Sequence, residues 1–192
     1  MGVTPSFEVE VQGEVLSFET APGLFSPGKA DPGTLALLSH AAPGPDDRVL
    51  DLGCGYGLVG IWYARKIGAA RVVMTDRDPE AVRMARINAE RNGVPGIATY
   101  VGDALRALPE TGFTCILSNP PYHEDFSVAK EFIEKGFNRL AVGGRMLLVT
   151  KRREWYRNKL VAIFGGVRVH ETGGYFVFEA EKRSRDRAKP RK

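Results

Sequence analysis

The first 45 residues of the chain alternate between hydrophobic and polar positions and then change to a helical pattern. Alternation over residues 7–20, "FEVEVQGEVLSFET", predicts a β-hairpin that turns near Gly13. After a Gly/Pro-rich stretch, a helix is predicted to begin with Asp31 as its N-cap and Pro32 in its first position. The N-terminal part is therefore expected to be a hairpin followed by one helix.

From Arg48 onwards, short apolar segments alternate with longer amphipathic ones. Strands are predicted at residues 48–53, 71–76, 98–103, 113–119 and 145–151, and helices at residues 58–68, 78–93, about 125–142 and 154–165. A hairpin around Gly173 and Gly174 closes the pattern with two more strands. Strands that alternate with helices form a mostly parallel sheet covered on both faces. The expected fold is α/β, with a seven-stranded sheet in which one strand is antiparallel.

Length and composition fit one globular domain. The chain has 192 residues, of which 43% are hydrophobic and 26% are charged. We expect one domain over residues 1–182, divided into the hairpin and helix (1–45) and the α/β core (46–182). No segment has the length of a membrane span and the N-terminus does not resemble a signal peptide, so we expect a cytoplasmic protein without a membrane partner. Cys54 and Cys115 are far apart in the sequence, so neither a metal site nor a disulfide is expected.

The basic character of the chain is concentrated in its last ten residues. Residues 183–192, "RSRDRAKPRK", contain six Arg or Lys and one Asp, and this +5 contribution leaves −1 of the net +4 for residues 1–182. So polar a segment is expected to be disordered. It either keeps the protein soluble or adds phosphate affinity without sequence specificity.

Acidic residues and glycines are predicted at the carboxyl ends of the strands, where open α/β sheets bind their ligands. The first strand runs into "DLGCGYG", in which Gly53, Gly55 and Gly57 alternate with other residues before a helix. Glycines allow a ligand to approach bare backbone, but a plain Gly-rich turn has the same pattern. Asp51 would attract a cationic amine and repel a pyrophosphate.

Two further acids complete the predicted ligand. Asp76, at the end of the second strand, is placed to accept hydrogen bonds from both hydroxyls of a ribose, as acids do at this position in nucleotide-binding folds. Asp103, at the end of the third strand, could accept from an exocyclic amine such as that of adenine. Together the acids predict a ligand that carries an ammonium group, a ribose diol and adenine, and that has no phosphate.

The fourth strand ends in the segment "SNPPYH", residues 118–123. Two prolines hold the backbone after Asn119 in a fixed, extended course. Alone, this segment could be a proline-stiffened turn. Beside the other strand ends, it favours a rigid site that presents polar acceptors and an aromatic ring.

These motifs together resemble class I S-adenosylmethionine-dependent methyltransferases, which have a Rossmann-like fold. The resemblance assigns S-adenosyl-L-methionine as the cofactor. It implies that Asn119, Pro120, Pro121 and Tyr122 hold the nitrogen that is methylated, with Tyr122 stacking on the target ring. The cofactor residues that it implies are Asp51, Gly53, Cys54, Gly55, Gly57, Asp76, Arg77, Asp103, Ala104 and Asn119.

A closer resemblance, over about residues 20–180, is to the small-domain ribosomal RNA guanine-N2 methyltransferases. It is carried by "GLFSPGKADPGTLALL", which includes Phe25, Asp31 and Thr34, and by "SNPPYH" with His123. It implies methylation of guanine N2 in ribosomal RNA and an RNA or ribosomal-particle partner. Such enzymes carry a second, degenerate copy of the domain, whereas this sequence shows one. Substrate contact is then left to the hairpin, the tail or a second subunit in a homodimer.

Other functions share these motifs. NPPY-type loops also serve protein glutamine-N5 and small-molecule N-methyltransferases, and a non-catalytic module could retain the cofactor pocket. Lys151, Arg152 and Arg153 follow the fifth strand as either a solvated turn or a phosphate-binding segment. Trp62 and Trp155 are expected to pack on helices rather than to stack on substrate.

Overall fold

The computed structural model describes residues 5–24, 26–103, 105–106, 108–121 and 125–189. Its strands are β1 Ser6–Val11, β2 Glu14–Glu19, β3 Val49–Leu52, β4 Val72–Asp76, β5 Ala98–Val101, β6 Phe113–Ser118, β7 Leu140–Thr150, β8 Arg168–Thr172 and β9 Tyr175–Glu181. Its helices are α1 Pro32–Ser39, α2 Leu58–Ile67, α3 Pro79–Arg91, α4 Ser127–Arg139 and α5 Arg153–Phe164, with a 3₁₀ turn at Ala69–Arg71. None of the helices in these ranges is both long and apolar enough to cross a bilayer.

Seven strands form the central sheet in the order β5-β4-β3-β6-β7-β9-β8. Only β9 runs against the others, because it pairs antiparallel with both β7 and β8. The predicted α/β fold, with a mostly parallel sheet and one antiparallel strand, is confirmed. The chain moves outwards from β3 to β5 on one side and then returns to place β6 on the other side of β3. This reversal opens a crevice above the carboxyl ends of β3 and β6, where such folds bind ligands.

Helices cover both faces of the sheet, as the buried strands require. Helices α1, α2 and α3 pack with the hairpin β1–β2 on one face. Helices α4 and α5 pack on the other face. The β3 strand is buried along its whole length, so Asp51 is a carboxylate in an otherwise apolar strand.

The predicted N-terminal hairpin is present, and the side-chain amides of Asn88 in α3 and of Asn92, the C-cap of α3, attach it to the core. Asn88 accepts from the Glu19 N–H and donates to the Glu19 carbonyl, both at 2.8 Å. Asn92 makes the same pair of bonds with Ser17, at 3.0 and 2.8 Å. One helical turn covers about the same distance as two residues of a strand. The two amides, which are about one turn apart, can therefore bond to alternate residues of β2 as the backbone of a neighbouring strand would. Asn88 also donates to the Tyr56 carbonyl at 2.9 Å and so connects the hairpin to the Gly-rich loop.

The predicted end of α4 was wrong by three residues. The helix ends at Arg139. Leu140 is the first residue of β7 and pairs with Phe113 of β6. The Lys182 ammonium donates to the carbonyls of Phe137 and Leu140, at 2.8 and 2.9 Å, and satisfies the end of the helix. Leu140 is apolar and falls at helical spacing after the buried residues of α4. The sequence pattern therefore did not show that it pairs with a strand instead.

Candidate active site

A cavity of about 430 Å³ lies above the carboxyl ends of β3, β4 and β6. Its walls include most of the described residues that the sequence assigned to a site. These are Asp51, Gly53, Cys54, Gly55, Asp76, Arg77, Asp103, Asn119, Pro120 and Pro121. Residues that are up to 70 positions apart in the chain therefore surround one space, because the parallel strands end at the same edge.

The Gly-rich loop turns sharply over the end of β4. The N–H groups of Gly53 and Cys54 both donate to the Thr75 carbonyl, at 2.9 and 2.8 Å. Gly55 has a φ of +55° and open space where a Cβ would be, so backbone forms this part of the cavity wall. Gly57 differs from the other two glycines. A Cβ on Gly57 would lie 2.9 Å from Ile61 Cδ1, so this glycine allows close packing of α2 and does not line the cavity.

Asp51 has an unusual environment for a carboxylate. It is 3% exposed, and its Oδ2 accepts from the Gly60 N–H in the first turn of α2 at 2.8 Å. The N-cap of this helix, Gly57, has no side chain, so Asp51 supplies the missing acceptor from β3. Burial raises the pKa of Asp51 to about 7; the Gly60 hydrogen bond opposes this shift, and the Asp76 charge adds to it. Burial, with the charges of Asp51 and Asp76, also raises the pKa of the Cys54 thiol, which stays neutral.

Asp76 stands at the end of β4 with both carboxylate oxygens already in use. Its Oδ2 accepts from the Gly55 N–H at 2.8 Å and its Oδ1 from the Asp78 N–H at 3.0 Å. Each carboxylate oxygen can accept a second hydrogen bond, so the side chain is oriented and still has capacity for a ligand. Asp103 lies at the rim of the cavity, where its side chain is 62% exposed and 3.7 Å from Arg106.

Asn119 is fixed by two residues at the start of α1. Its Nδ2 donates to Asp31 Oδ2 at 2.9 Å and to Thr34 Oγ1 at 3.1 Å. Asp31 is 6% exposed, and the same oxygen accepts the Thr34 N–H at 2.9 Å as the N-cap of α1. A carboxylate only accepts hydrogen bonds, so it must face the amide nitrogen of Asn119. The Asn119 oxygen is therefore left for the cavity.

Sequence reasoning did not assign several residues that line the cavity. Asp31 and Thr34 were recognised only as a helix start and as part of a family resemblance. Val128, Glu131 and Phe132 form a further wall from α4. The helical pattern showed that one face of α4 is buried, but it could not show that the first turns of this face border a cavity. Tyr122, Ala104, Phe25 and His123 lie outside the described residues.

The comparisons with known proteins agree with this geometry. The model of the family described as the methyltransferase small domain matches residues 15–179. The chain belongs to the methyltransferase small-domain family. Its class I methyltransferase fold agrees with the sequence-based expectation, and a methyltransferase from Pyrococcus furiosus shares this fold at 20% identity and a TM-score of 0.70, over 87% of this chain and 89% of that one.

Two relatives of this small-domain chain are closer in sequence. The ribosomal RNA small subunit methyltransferase C of Pseudomonas putida (strain GB-1) is 34% identical over 91% of this chain and 53% of its own length. The structure of the Thermus thermophilus 16S rRNA N2 G1207 methyltransferase, in complex with AdoMet and guanosine, is 31% identical with a TM-score of 0.87. It covers 95% of this chain and 52% of that one. The chain thus spans about half the length of these relatives.

Proposed function

We propose that this chain transfers a methyl group from S-adenosylmethionine to the exocyclic N2 amine of guanine in ribosomal RNA. The observation that carries the proposal is the orientation of Asn119. Its amide nitrogen is bound by Asp31 and Thr34, so its oxygen is available as a fixed acceptor in the cavity. A fixed acceptor beside two prolines suits an amine substrate.

The residues of the cavity fit the proposed cofactor. Buried Asp51 suits the ammonium of the methionine part, and Asp76, held by two backbone N–H groups, suits the ribose hydroxyls. Asp103 at the rim suits the amine of adenine. A cofactor without phosphate also matches the charge of the cavity, since its acidic walls would repel a pyrophosphate. When bound, S-adenosylmethionine supplies a methyl group that its positive sulfur makes electrophilic.

The Asn119 loop compensates for the weak nucleophilicity of an aromatic amine, whose lone pair is delocalised into the ring. Asn119 Oδ1 and the Pro120 carbonyl accept the two amine hydrogens and turn the lone pair out of conjugation. The prolines hold both acceptors in place before the substrate arrives, so little reorganisation accompanies the reaction. As the N–C bond forms, the bond between the methyl carbon and the sulfur would break and S-adenosylhomocysteine would leave. The nitrogen then releases one proton to solvent, so the reaction does not require a strong general base.

Guanine in ribosomal RNA is favoured over other amines by two relatives. The Pseudomonas putida relative is named as a ribosomal RNA methyltransferase, and the Thermus thermophilus structure holds guanosine together with AdoMet. Both match this chain across nine tenths or more of its length. The test is incubation with methyl-labelled S-adenosylmethionine and either ribosomal RNA, total RNA or total protein. We expect label in ribosomal RNA, recovered as N2-methylguanosine after digestion. Label in glutamine side chains, or in no fraction, would contradict the proposal.

The pKa of Asp51 leads to a pH dependence of cofactor binding. An ammonium binds the ionised carboxylate, and with a pKa of about 7 the ionised fraction rises from about one tenth at pH 6 to one half at pH 7. The affinity for S-adenosylmethionine should therefore rise roughly fivefold over this interval. Without cofactor, the folded chain holds this proton more tightly than the unfolded chain does. Its stability should therefore fall as the pH rises from 3.8 to about 7.

Isothermal titration calorimetry at pH 5.5, 6 and 7 measures this dependence. Repeating the titration at pH 6 in two buffers of different ionisation enthalpy should show that about one proton is released on binding. Asp51→Asn is the matched control, because it retains an acceptor for the Gly60 N–H and removes the titration. Its affinity should be lower and nearly constant over this range. An affinity of the unmodified protein that does not change from pH 5.5 to 7 would refute the role of Asp51.

A further inference from the structure

A pile of aromatic rings and cations lies beside the Asn119 end of the cavity. The rings of Phe126 and Trp155 stack with centroids 4.3 Å apart and planes within 11°. The Arg152 guanidinium lies 5.1 Å from the centre of the Phe126 ring. Arg152 is exposed at the end of this pile, and Lys151 and Arg153 on either side of it are exposed as well. We call Phe126, Lys151, Arg152, Arg153 and Trp155 the basic flank.

The topology places the basic flank next to the substrate end of the site. Lys151 follows β7, whose Leu148 pairs with Ser118 immediately before Asn119. Phe126 is the N-cap of α4, and Val128 two residues later lines the cavity. The flank therefore borders the Asn119 loop from the β7 side of the sheet.

A second contact joins the flank to α1. The Lys151 ammonium lies 4.9 Å from the centre of the Tyr175 ring. That ring packs against Gly33, where an added Cβ would be 2.9 Å from Tyr175 Cε1. Gly33 is in the first turn of α1, next to Asp31 and Thr34, which hold Asn119. Cations of the basic flank therefore lie near the Asn119 loop and near the start of α1, which together position the proposed acceptor, Asn119.

The charged residues that line the cavity are mainly acidic, whereas the basic flank carries positive charge. Among the described residues that line the cavity, one, Arg77, is basic and six carry carboxylates, namely Asp31, Asp51, Asp76, Asp78, Asp103 and Glu131. In the flank, Arg153 pairs with Glu154 at 2.6 Å, whereas Lys151 and Arg152 lie over aromatic rings. A nucleotide can place its uncharged base in the acidic cavity only if its phosphates stay outside it. The flank offers those phosphates cations at the mouth of the site.

We propose that the basic flank is the docking surface for the single-stranded RNA adjoining the target base. Its cations bind the phosphates, and a neighbouring base stacks on the planar Arg152 guanidinium that ends the aromatic pile. This inference rests on the proposed function. An acidic protein segment could also pair with the cations, but its carboxylates would offer no aromatic ring to the pile.

Binding to a fluorescently labelled, single-stranded RNA of twelve nucleotides, without cofactor, tests the surface by anisotropy. The double variant Arg152→Gln/Arg153→Gln should raise Kd about tenfold, and the slope of log K against log salt should become shallower by about 1.4, or 0.7 per phosphate contact. The matched control is Arg183→Gln/Arg185→Gln, which removes the same charge from the tail. The tail leaves β9 at the opposite edge of the sheet, where Lys182 pairs with Gly143 and Gly144. A loss confined to the tail variant would overturn the proposal and assign the phosphate contacts to the tail.

Stacking is tested separately from charge. Arg152→Lys keeps the charge and removes the plane, so Kd should rise about fivefold with an unchanged salt slope. Full RNA affinity in Arg152→Lys would refute the stacking role.

The binding assay also separates this proposal from the proposed function. Equal RNA affinity in the unmodified protein and in Arg152→Gln/Arg153→Gln would refute the flank, whatever the activity. Tighter binding of polyglutamate than of RNA, weakened by the same double variant, would also overturn it, in favour of an acidic protein partner. An absence of methyl transfer to RNA by the unmodified protein would instead refute the proposed function.

Discussion

Replacing Asn119 with alanine should lower single-turnover methyl transfer by about 10²–10³-fold, the usual effect of losing one preorganised hydrogen-bond partner of a transition state. The reason is the geometry of its amide, whose nitrogen is bound to Asp31 and Thr34 and whose oxygen is left for the amine. Asn119 follows β6 in a loop, so we expect the fold to persist. The affinity for S-adenosylmethionine, measured by calorimetry, should change little.

Two further variants sharpen this test. Asn138→Ala removes the same side chain from an exposed position on α4 and should leave the transfer rate unchanged. Asn119→Asp keeps an acceptor but places a negative charge beside Asp31, which should displace the side chain from its position and reduce transfer. The same charge near a positive sulfur could tighten cofactor binding. Near-normal transfer by Asn119→Ala would refute the role of the loop in catalysis.

Replacing Asp31 with alanine should lower turnover by about 10²-fold, the size of effect that a misplacement of about 1 Å can have. Asp31 is a positioning residue, because one of its oxygens binds both the Asn119 amide and the first turn of α1. Without it, the amide can rotate and present its nitrogen to the cavity. Loss of the N-cap should also lower the free energy of unfolding by about 0.5–2 kcal/mol.

Asp31→Asn separates these effects. Asparagine is an equally good N-cap, and its oxygen can still accept from both Thr34 and Asn119. It should therefore restore stability and most of the turnover, and any remaining deficit measures the contribution of the negative charge. The expected effect is on kcat, with KM for the RNA nearly unchanged. If Asp31→Ala loses stability but keeps normal kcat, the residue is only a helix cap and the positioning role is wrong.

The sequence by itself determined the fold class and most of the candidate site. Periodicity and caps are local properties, so Asp31 and Asp78 marked helix starts that the structure confirms through their hydrogen bonds to Thr34 and Glu80. The ends of the strands could also be located from the local sequence pattern. Because parallel strands end at one edge, Asp51, Asp76 and Asn119 were expected to surround one space, and all three line the cavity.

Tertiary structure alone decided how these side chains are held. Asp31 and Asn119 are 88 residues apart, and no local pattern shows that a helix cap also orients a loop amide. The attachment of the hairpin by Asn88 and Asn92 likewise depends on how α3 lies along β2, because a polar residue on a helix reads simply as solvent-exposed. Trp155 was expected to be a packing residue, and only the stack with Phe126 reveals the pile that Arg152 completes. Local sequence specifies backbone conformation, whereas the partner of a polar or aromatic side chain depends on which distant elements the fold brings within reach.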